Sequence, residues 1–177
     1  YFNSVDFRHR YIEDIELARK MGVNAYRFGL NWARIEPREG EYDAVELAYY
    51  DDVIHRIRAA GMTPIPTLHH YVYPGWVADQ GGWNNAKTVE DFVRYGTMIA
   101  QRWSDQTRWW LIFNEPLCDI VIGVTAGYID PQNTVTVTGR FVEAHGRVYD
   151  AIHAVVPDAM VSSNECSTNF PGPLAVG

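Results

Sequence analysis

The sequence predicts an α/β fold built on a parallel sheet, and two patterns lead to this expectation. Short apolar segments with strand character alternate with longer segments in which apolar residues recur every three or four positions. Gly22 and Gly61 follow the first two helical segments, where a helix end is expected. Because a helix between two strands is typical of a crossover connection, neighbouring strands are expected to run parallel.

Four segments are predicted as strands: Val23–Leu30, Met62–Leu68, Arg108–Phe113 and Met160–Asn164. The second contains Pro64 and Pro66, which cannot donate ladder hydrogen bonds. Both prolines lie on the same side of the pleat, so only one edge of that strand loses donors. The third strand is expected to stop at Pro116 for the same reason.

Four helices are predicted around these strands. The first spans Tyr11–Met21, the second starts after the capping residue Asp43, and the third starts near Thr88, with Asp91 completing a weak capping box. Each helix has one apolar face. In the first helix it consists of Ile12, Ile15, Ala18 and Met21, and in the second of Leu47, Tyr50, Ile54 and Ile57. In the third helix it consists of Phe92, Gly96, Ile99 and Trp103, and in the last of Phe141, His145, Val148, Ile152 and Val155. His145 is interpreted as a hydrogen-bonded core histidine. The segment with Gly123, Gly127 and Pro131 is predicted as a loop.

The spacing of the strands indicates a barrel of which the chain forms a part. One strand and its helix take about 40 to 50 residues, and a closed (β/α)8 barrel needs ~250 residues or more. The 177 residues are therefore predicted to form one partial barrel domain, residues 1–177, about half of the complete fold.

Composition narrows the range of partners. A net charge of -7 argues against nucleic acid and against an anionic membrane surface as partners, and no apolar run approaches the ~20 residues of a membrane span.

Cys118 and Cys166 have no metal-ligand spacing and are expected to be free thiols, which favours the cytoplasm. No signal segment opens the chain, but it starts at Tyr1 and not at a Met, so its true N-terminus is expected to be missing and secretion stays an alternative to the cytoplasm. No metal and no cofactor are expected.

Polar side chains follow the first three predicted strands at their carboxyl ends. Arg27 belongs to the first, His69-His70-Tyr71 follows the second, and Asn114-Glu115 follows the third. In a barrel these ends meet at one face, where barrel enzymes place their chemistry. Aromatic surroundings favour the protonated form of a carboxyl group, which a general acid needs. A solvent-exposed Glu115 and a structural Arg27 remain alternatives at this point.

Three blocks of sequence resemble glycoside hydrolase family 1, the β-glucosidases and their relatives. They are Tyr26-Arg27-Phe28 through Trp32 with Arg34-Ile35-Glu36-Pro37 and Gly40; Thr67-Leu68-His69-His70 with Pro74, Trp76 and Gly81-Gly82-Trp83; and Asn114-Glu115-Pro116. Asn-Glu-Pro alone also occurs in family 5 cellulases. The order and spacing of all three blocks fit family 1 over roughly residues 8 to 165, which implies strands 2 to 5 of the barrel.

The resemblance implies roles for individual residues in the hydrolysis of β-linked glycosides with retention. Glu115 would be the acid/base, Asn114 would bind the sugar 2-hydroxyl, and His70 would bind other hydroxyls of the same sugar. Arg27 would lie beside the nucleophile and keep it ionised. Tyr71 stands where the family usually has Trp and is predicted to contribute to substrate binding.

The second carboxylate of a retaining glycosidase is the main feature that the sequence does not match. Its family motif is found nowhere in the chain, and Glu165 after Asn164 imitates only the acid/base pair. The chain alone is therefore expected to be inactive, and to need a complementary chain or self-association to complete the barrel. The alternatives are a non-catalytic half-barrel that binds a sugar or a partner, and a family 5-like endoglucanase.

Overall fold

The computed structural model describes residues 5–165, in which four strands form one parallel sheet in the order β1-β2-β3-β4. The strands are β1 Ala25–Gly29, β2 Thr63–His69, β3 Trp109–Asn114 and β4 Met160–Asn164. All four predicted strands are thereby confirmed, including the one that contains two prolines, since β2 pairs with β1 on one side and β3 on the other.

Seven α-helices accompany the sheet in the described part of the chain. They are α1 Phe7–Lys20, α2 Trp32–Ile35, α3 Ala44–Ala59, α4 Gly75–Asp79, α5 Lys87–Trp103, α6 Pro116–Ala126 and α7 Thr134–Val155, with short 3₁₀ turns at Gly82–Asn84 and Pro131–Asn133. None of the helices within residues 5–165 is both long enough and apolar enough to cross a bilayer. Cys166 lies outside the described residues.

The predicted helix ends are partly confirmed. Asp43 accepts hydrogen bonds from the backbone N–H groups of Val45 and Glu46, as an N-cap should. The capping box at Thr88 is wrong, because Thr88 lies inside α5 and its hydroxyl group donates to the carbonyl of Gly82 at 2.6 Å. The Asp91 carboxylate instead accepts from Lys87, Gln80 and Arg94.

The loop predicted after Glu115 is in fact mostly helix α6. Pro116 occupies the first turn of this helix, where its missing N–H group costs nothing. Gly123 lies within the helix, and a Cβ atom there would come 2.5 Å from Ile129 Cδ1, so the glycine allows the following segment to pack closely. Gly127 ends the helix with a φ of 83°.

The apolar face predicted for α1 is also wrong in part. Ile15 is buried, but Ile12 is 45% exposed and Met21 is 72% exposed. α1 instead contacts α3 through Tyr11, whose hydroxyl group donates to Asp52 at 2.5 Å and whose ring packs edge-on against Tyr49. Among the residues of α1, Ile15 is the one that is buried.

The core lies between the sheet and helices α3, α5 and α7, each of which buries a row of apolar side chains. Trp83, Phe92, Phe113 and Phe141 form an aromatic cluster there, with ring centroids as close as 4.2 Å. Gly96 lets α5 approach α7, since a Cβ atom at this position would lie 3.0 Å from Val148 Cγ1. The other face of the sheet is open: Ala25, Arg27 and Gly29 of β1 are exposed.

Candidate active site

The carboxyl ends of β1, β2 and β3 are joined by the guanidinium group of Arg27. Its Nε atom donates to Thr67 Oγ1 of β2 at 2.9 Å, and its Nη2 atom donates to Asn114 Oδ1 of β3 at 2.6 Å. Arginine has five N–H donors, so these two bonds leave others for a further anionic group. Two of the predicted site residues, Arg27 and Asn114, are therefore in direct contact.

The backbone of Glu115 is fixed between β4 and α6. Its N–H group donates to the carbonyl of Asn164 at 2.8 Å, and its carbonyl accepts from the N–H of Asp119 at 3.0 Å. Glu115 has a φ of 44°, in the left-handed region that residues with a Cβ atom seldom adopt. This turn places the half-buried carboxyl group at the end of β3.

Tyr71 brings a hydroxyl group from the β2 side to this carboxyl group. The Tyr71 hydroxyl donates a close hydrogen bond to Glu115 Oε2, and the residue also has a left-handed φ, of 63°. Burial, followed by the hydrogen bond from Tyr71 to Glu115 and the negative charge there, raises the pKa of Tyr71 above its ordinary value of 10. Tyr71 therefore remains a donor at neutral pH.

His70 lies beside Gly29 and next to the charged groups of the site. A Cβ atom on Gly29 would lie 3.7 Å from His70 Nδ1, and the rings of His70 and Tyr71 pack edge-on at 5.0 Å. Although His70 is exposed at the open end of the sheet, loss of part of its hydration and the charge of Arg27 lower its pKa. A neutral imidazole can both donate and accept hydrogen bonds, which suits a ligand with hydroxyl groups.

Sequence reasoning missed one polar pair behind these residues. His69 Nε2 and Asp119 Oδ2 are 2.8 Å apart, and both side chains are buried. Asp119 is four residues after Glu115, so the two lie one turn apart only if a helix starts at Pro116. The sequence predicts Pro116 as the end of a strand, and the preference of proline for the first turn of a helix is the signal that would have located the pair.

Four parallel strands in sequential order, with polar side chains at their carboxyl ends, are the arrangement expected for part of a (β/α)8 barrel. The sequence profile described as "Glycosyl hydrolase family 1" matches residues 3–173. The chain belongs to this family, so a family 5-like endoglucanase is excluded.

Individual relatives and solved structures support the assignment to this family. The chain is 38% identical to the aryl-phospho-β-D-glucosidase BglH of Bacillus subtilis (strain 168), over 97% of this chain and 39% of that protein. It is 35% identical to the coniferin β-glucosidase of Pinus contorta, over 86% and 31%. Among solved structures, a β-glucosidase from Thermotoga maritima in complex with a substituted glucoimidazole superposes with a TM-score of 0.83, at 28% identity over 89% of this chain and 38% of that one.

These matches also define how much of the fold is present. The chain spans less than half the length of the curated relatives it matches. It is a partial barrel of family 1 type. A complete barrel consists of this chain together with the remaining strands, on the same polypeptide or on a second one.

Proposed function

We propose that this chain supplies the acid/base half of a retaining β-glycosidase site, with Glu115 as the acid/base. The observation that carries this proposal is the position of the Glu115 carboxyl group, at the carboxyl end of β3 and in contact with Tyr71. In the first step Glu115 would protonate the glycosidic oxygen while a second carboxylate, from the remaining strands, attacks the anomeric carbon. In the second step Glu115 would activate the water that hydrolyses the glycosyl-enzyme.

The other site residues have proposed roles that follow from their hydrogen-bonding chemistry. Asn114 has its carbonyl oxygen bound by Arg27, which leaves its amide N–H groups to donate to the sugar 2-hydroxyl. His70, as a neutral ring, would bind other sugar hydroxyls. The unused donors of Arg27 would hold the second carboxylate in its ionised form.

The substrate class proposed is a β-linked glycoside, in line with the names of the relatives. The complete barrel would arise when further strands pair with β1 and β4, each of which has one neighbour in the described sheet. Two alternative partners are proposed, a complementary chain and a second copy of this chain. A half-barrel that binds a sugar without catalysis remains the alternative function, and a cytoplasmic location stays a prediction.

The proposal is tested by replacing Glu115→Gln in the complete barrel. Turnover of an alkyl β-glucoside, whose leaving group needs protonation, should fall on the order of 10² to 10⁴-fold. An aryl glucoside with an activated leaving group should lose much less in its first step, and added azide should restore turnover with retention at the anomeric centre.

Glu165→Gln is the matched control, because Asn164-Glu165 repeats the Asn-Glu pair at the end of the neighbouring strand β4. This variant should keep the activity of the wild type on both substrates. Glu115→Gln with unchanged turnover of the alkyl glucoside would exclude Glu115 as the acid/base.

A further inference from the structure

The buried pair of His69 and Asp119 has no part in the proposed chemistry. The His69 side chain is 0% exposed and that of Asp119 is 2% exposed. Their hydrogen bond joins Nε2 and Oδ2 at 2.8 Å, between the last residue of β2 and the first turn of α6. Burial of two ionisable side chains is uncommon without a specific reason.

The surroundings of the pair make the hydrogen bond strong and its loss costly. The His69 ring lies 5.6 Å from the ring of Phe113, 5.7 Å from that of Trp83 and 6.0 Å from that of Phe92. In an apolar environment of this kind a polar group gains more from its partner, and suffers more when the partner is removed. The pair therefore holds its two segments in one fixed relation.

The two segments joined by the pair are those that carry the candidate acid/base and its hydrogen-bond donor. His69 is two residues before Tyr71, which donates to Glu115. Asp119 is four residues after Glu115, and its N–H group donates to the Glu115 carbonyl. The hydrogen bond between His69 and Asp119 thus forms a second link behind the one between Tyr71 and Glu115.

Two unusual backbone conformations lie between these links. Tyr71 and Glu115 have left-handed φ values of 63° and 44°. Such conformations persist in residues with a Cβ atom only where the surrounding structure holds them. His69 belongs to the segment of Tyr71 and Asp119 to that of Glu115, so their hydrogen bond is positioned to hold both conformations.

We propose that His69 and Asp119 are positioning residues that hold Glu115 and Tyr71 in the relative placement needed for proton transfer. This inference rests on the proposed role of Glu115 as the acid/base. Its consequence is specific: loosening the pair should impair the step that needs a proton from Glu115 more than any other step. If the pair served only folding, its loss would lower kcat on all substrates to the same extent.

The test uses the complete barrel and three variants of the pair. His69→Phe with Asp119→Leu replaces both partners by apolar side chains, which leaves no buried polar group without a partner. Asp119→Ala removes only one partner, and it provides a second measurement if the double variant does not fold. Asp119→Asn keeps a hydrogen-bonding group at the same place and is the conservative rescue.

The readout is the ratio of kcat on an alkyl β-glucoside to kcat on an activated aryl glucoside. In the double variant and in Asp119→Ala, kcat on the alkyl glucoside should fall about 10- to 100-fold, the scale of a small misplacement of a reacting group. On the aryl glucoside it should change much less, and Asp119→Asn should recover most of the ratio. Ile99→Val, a buried change in α5, is the control and should leave the ratio unchanged.

The two proposals fail in different ways. If Glu115→Gln itself leaves turnover of the alkyl glucoside unchanged, the proposed function is wrong. If Glu115→Gln shows the expected loss while the folded pair variants keep the wild-type ratio, the proposed function stands and the positioning role is overturned.

Discussion

The hydroxyl group of Tyr71 donates a hydrogen bond to the carboxyl group of Glu115, across the gap between the ends of β2 and β3. Both residues have left-handed backbone conformations, so the contact depends on two turns that occur seldom outside glycine. Tyr71 is therefore in a position to orient the carboxyl group of Glu115, in addition to its predicted contact with the sugar.

This contact leads to a prediction for Tyr71→Phe in the complete barrel. Because the variant lacks the hydroxyl donor, the Glu115 carboxyl group should lose part of its fixed orientation. The kcat on an alkyl β-glucoside should then fall roughly 10-fold, the scale of a small misplacement of a reacting group, while kcat on an activated aryl glucoside changes much less. Tyr73→Phe makes the same chemical change two residues later and should leave both values unchanged. An unchanged kcat on the alkyl glucoside in Tyr71→Phe would mean that the bond does not orient Glu115.

The lowered pKa of His70 leads to a prediction about stability and pH. Since the folded state disfavours the protonated ring, the unfolded state binds more protons once the pH falls below about 6.5. The resulting loss of stability is absent above that pH and grows as the pH falls towards the lowered pKa. Urea denaturation at about pH 7.5 and pH 5.5 should show the free energy of unfolding decreasing with acidity, by less in His70→Gln than in the wild type. An identical decrease in both proteins would contradict the assignment. His145, whose pKa is lowered by burial, contributes with the same sign and remains in the variant.

The buried carboxylate of Glu36 should be important for stability. Its side chain is 0% exposed and accepts hydrogen bonds from Trp32 Nε1 at 2.7 Å, the N–H of Gly40 at 2.8 Å and Arg94 Nη2 at 2.6 Å. Glu36→Ala leaves these donors without their acceptor, so the free energy of unfolding should fall by about 3 kcal/mol.

Glu39→Ala is the control for this prediction. Glu39 is 52% exposed and pairs with Lys87 at 2.6 Å, so its loss should cost less than about 1 kcal/mol. Chemical denaturation of both variants in the complete barrel measures the difference. Equal losses in the two variants would show that the buried network does not stabilise the fold as described.

The 177-residue chain by itself should be marginally stable or associate, and it should not turn over glycosides. The sheet edges at β1 and β4 and the face that carries Arg27 would be uncovered in an isolated monomer, which favours association. Sedimentation is expected to show species larger than a monomer, or a monomer of low stability. A compact, cooperatively unfolding monomer would contradict the first expectation, and retaining activity of the purified chain would contradict the second.

The sequence by itself determined the sheet and the groups at its strand ends. The four strands could be located from their apolar runs and from the glycines that end the preceding helices. This was possible because short apolar segments of this kind are buried as strands in most α/β proteins. The polar residues that follow these runs could be assigned to one face, because parallel strands bring their carboxyl ends together. That rule predicts that Arg27 converges with the groups after β2 and β3, and the hydrogen bond from Arg27 to Asn114 is a detail that the structure adds.

Only the tertiary structure decided the contacts that position Glu115. Pro116 follows the end of β3 and begins α6, and it was the structure that showed the segment after it to be helical, with Gly123 packed against Ile129. The pairing of His69 with Asp119 depends in turn on that helix. The left-handed turns at Tyr71 and Glu115 run against local preference, so they exist only because distant parts of the chain hold them in place.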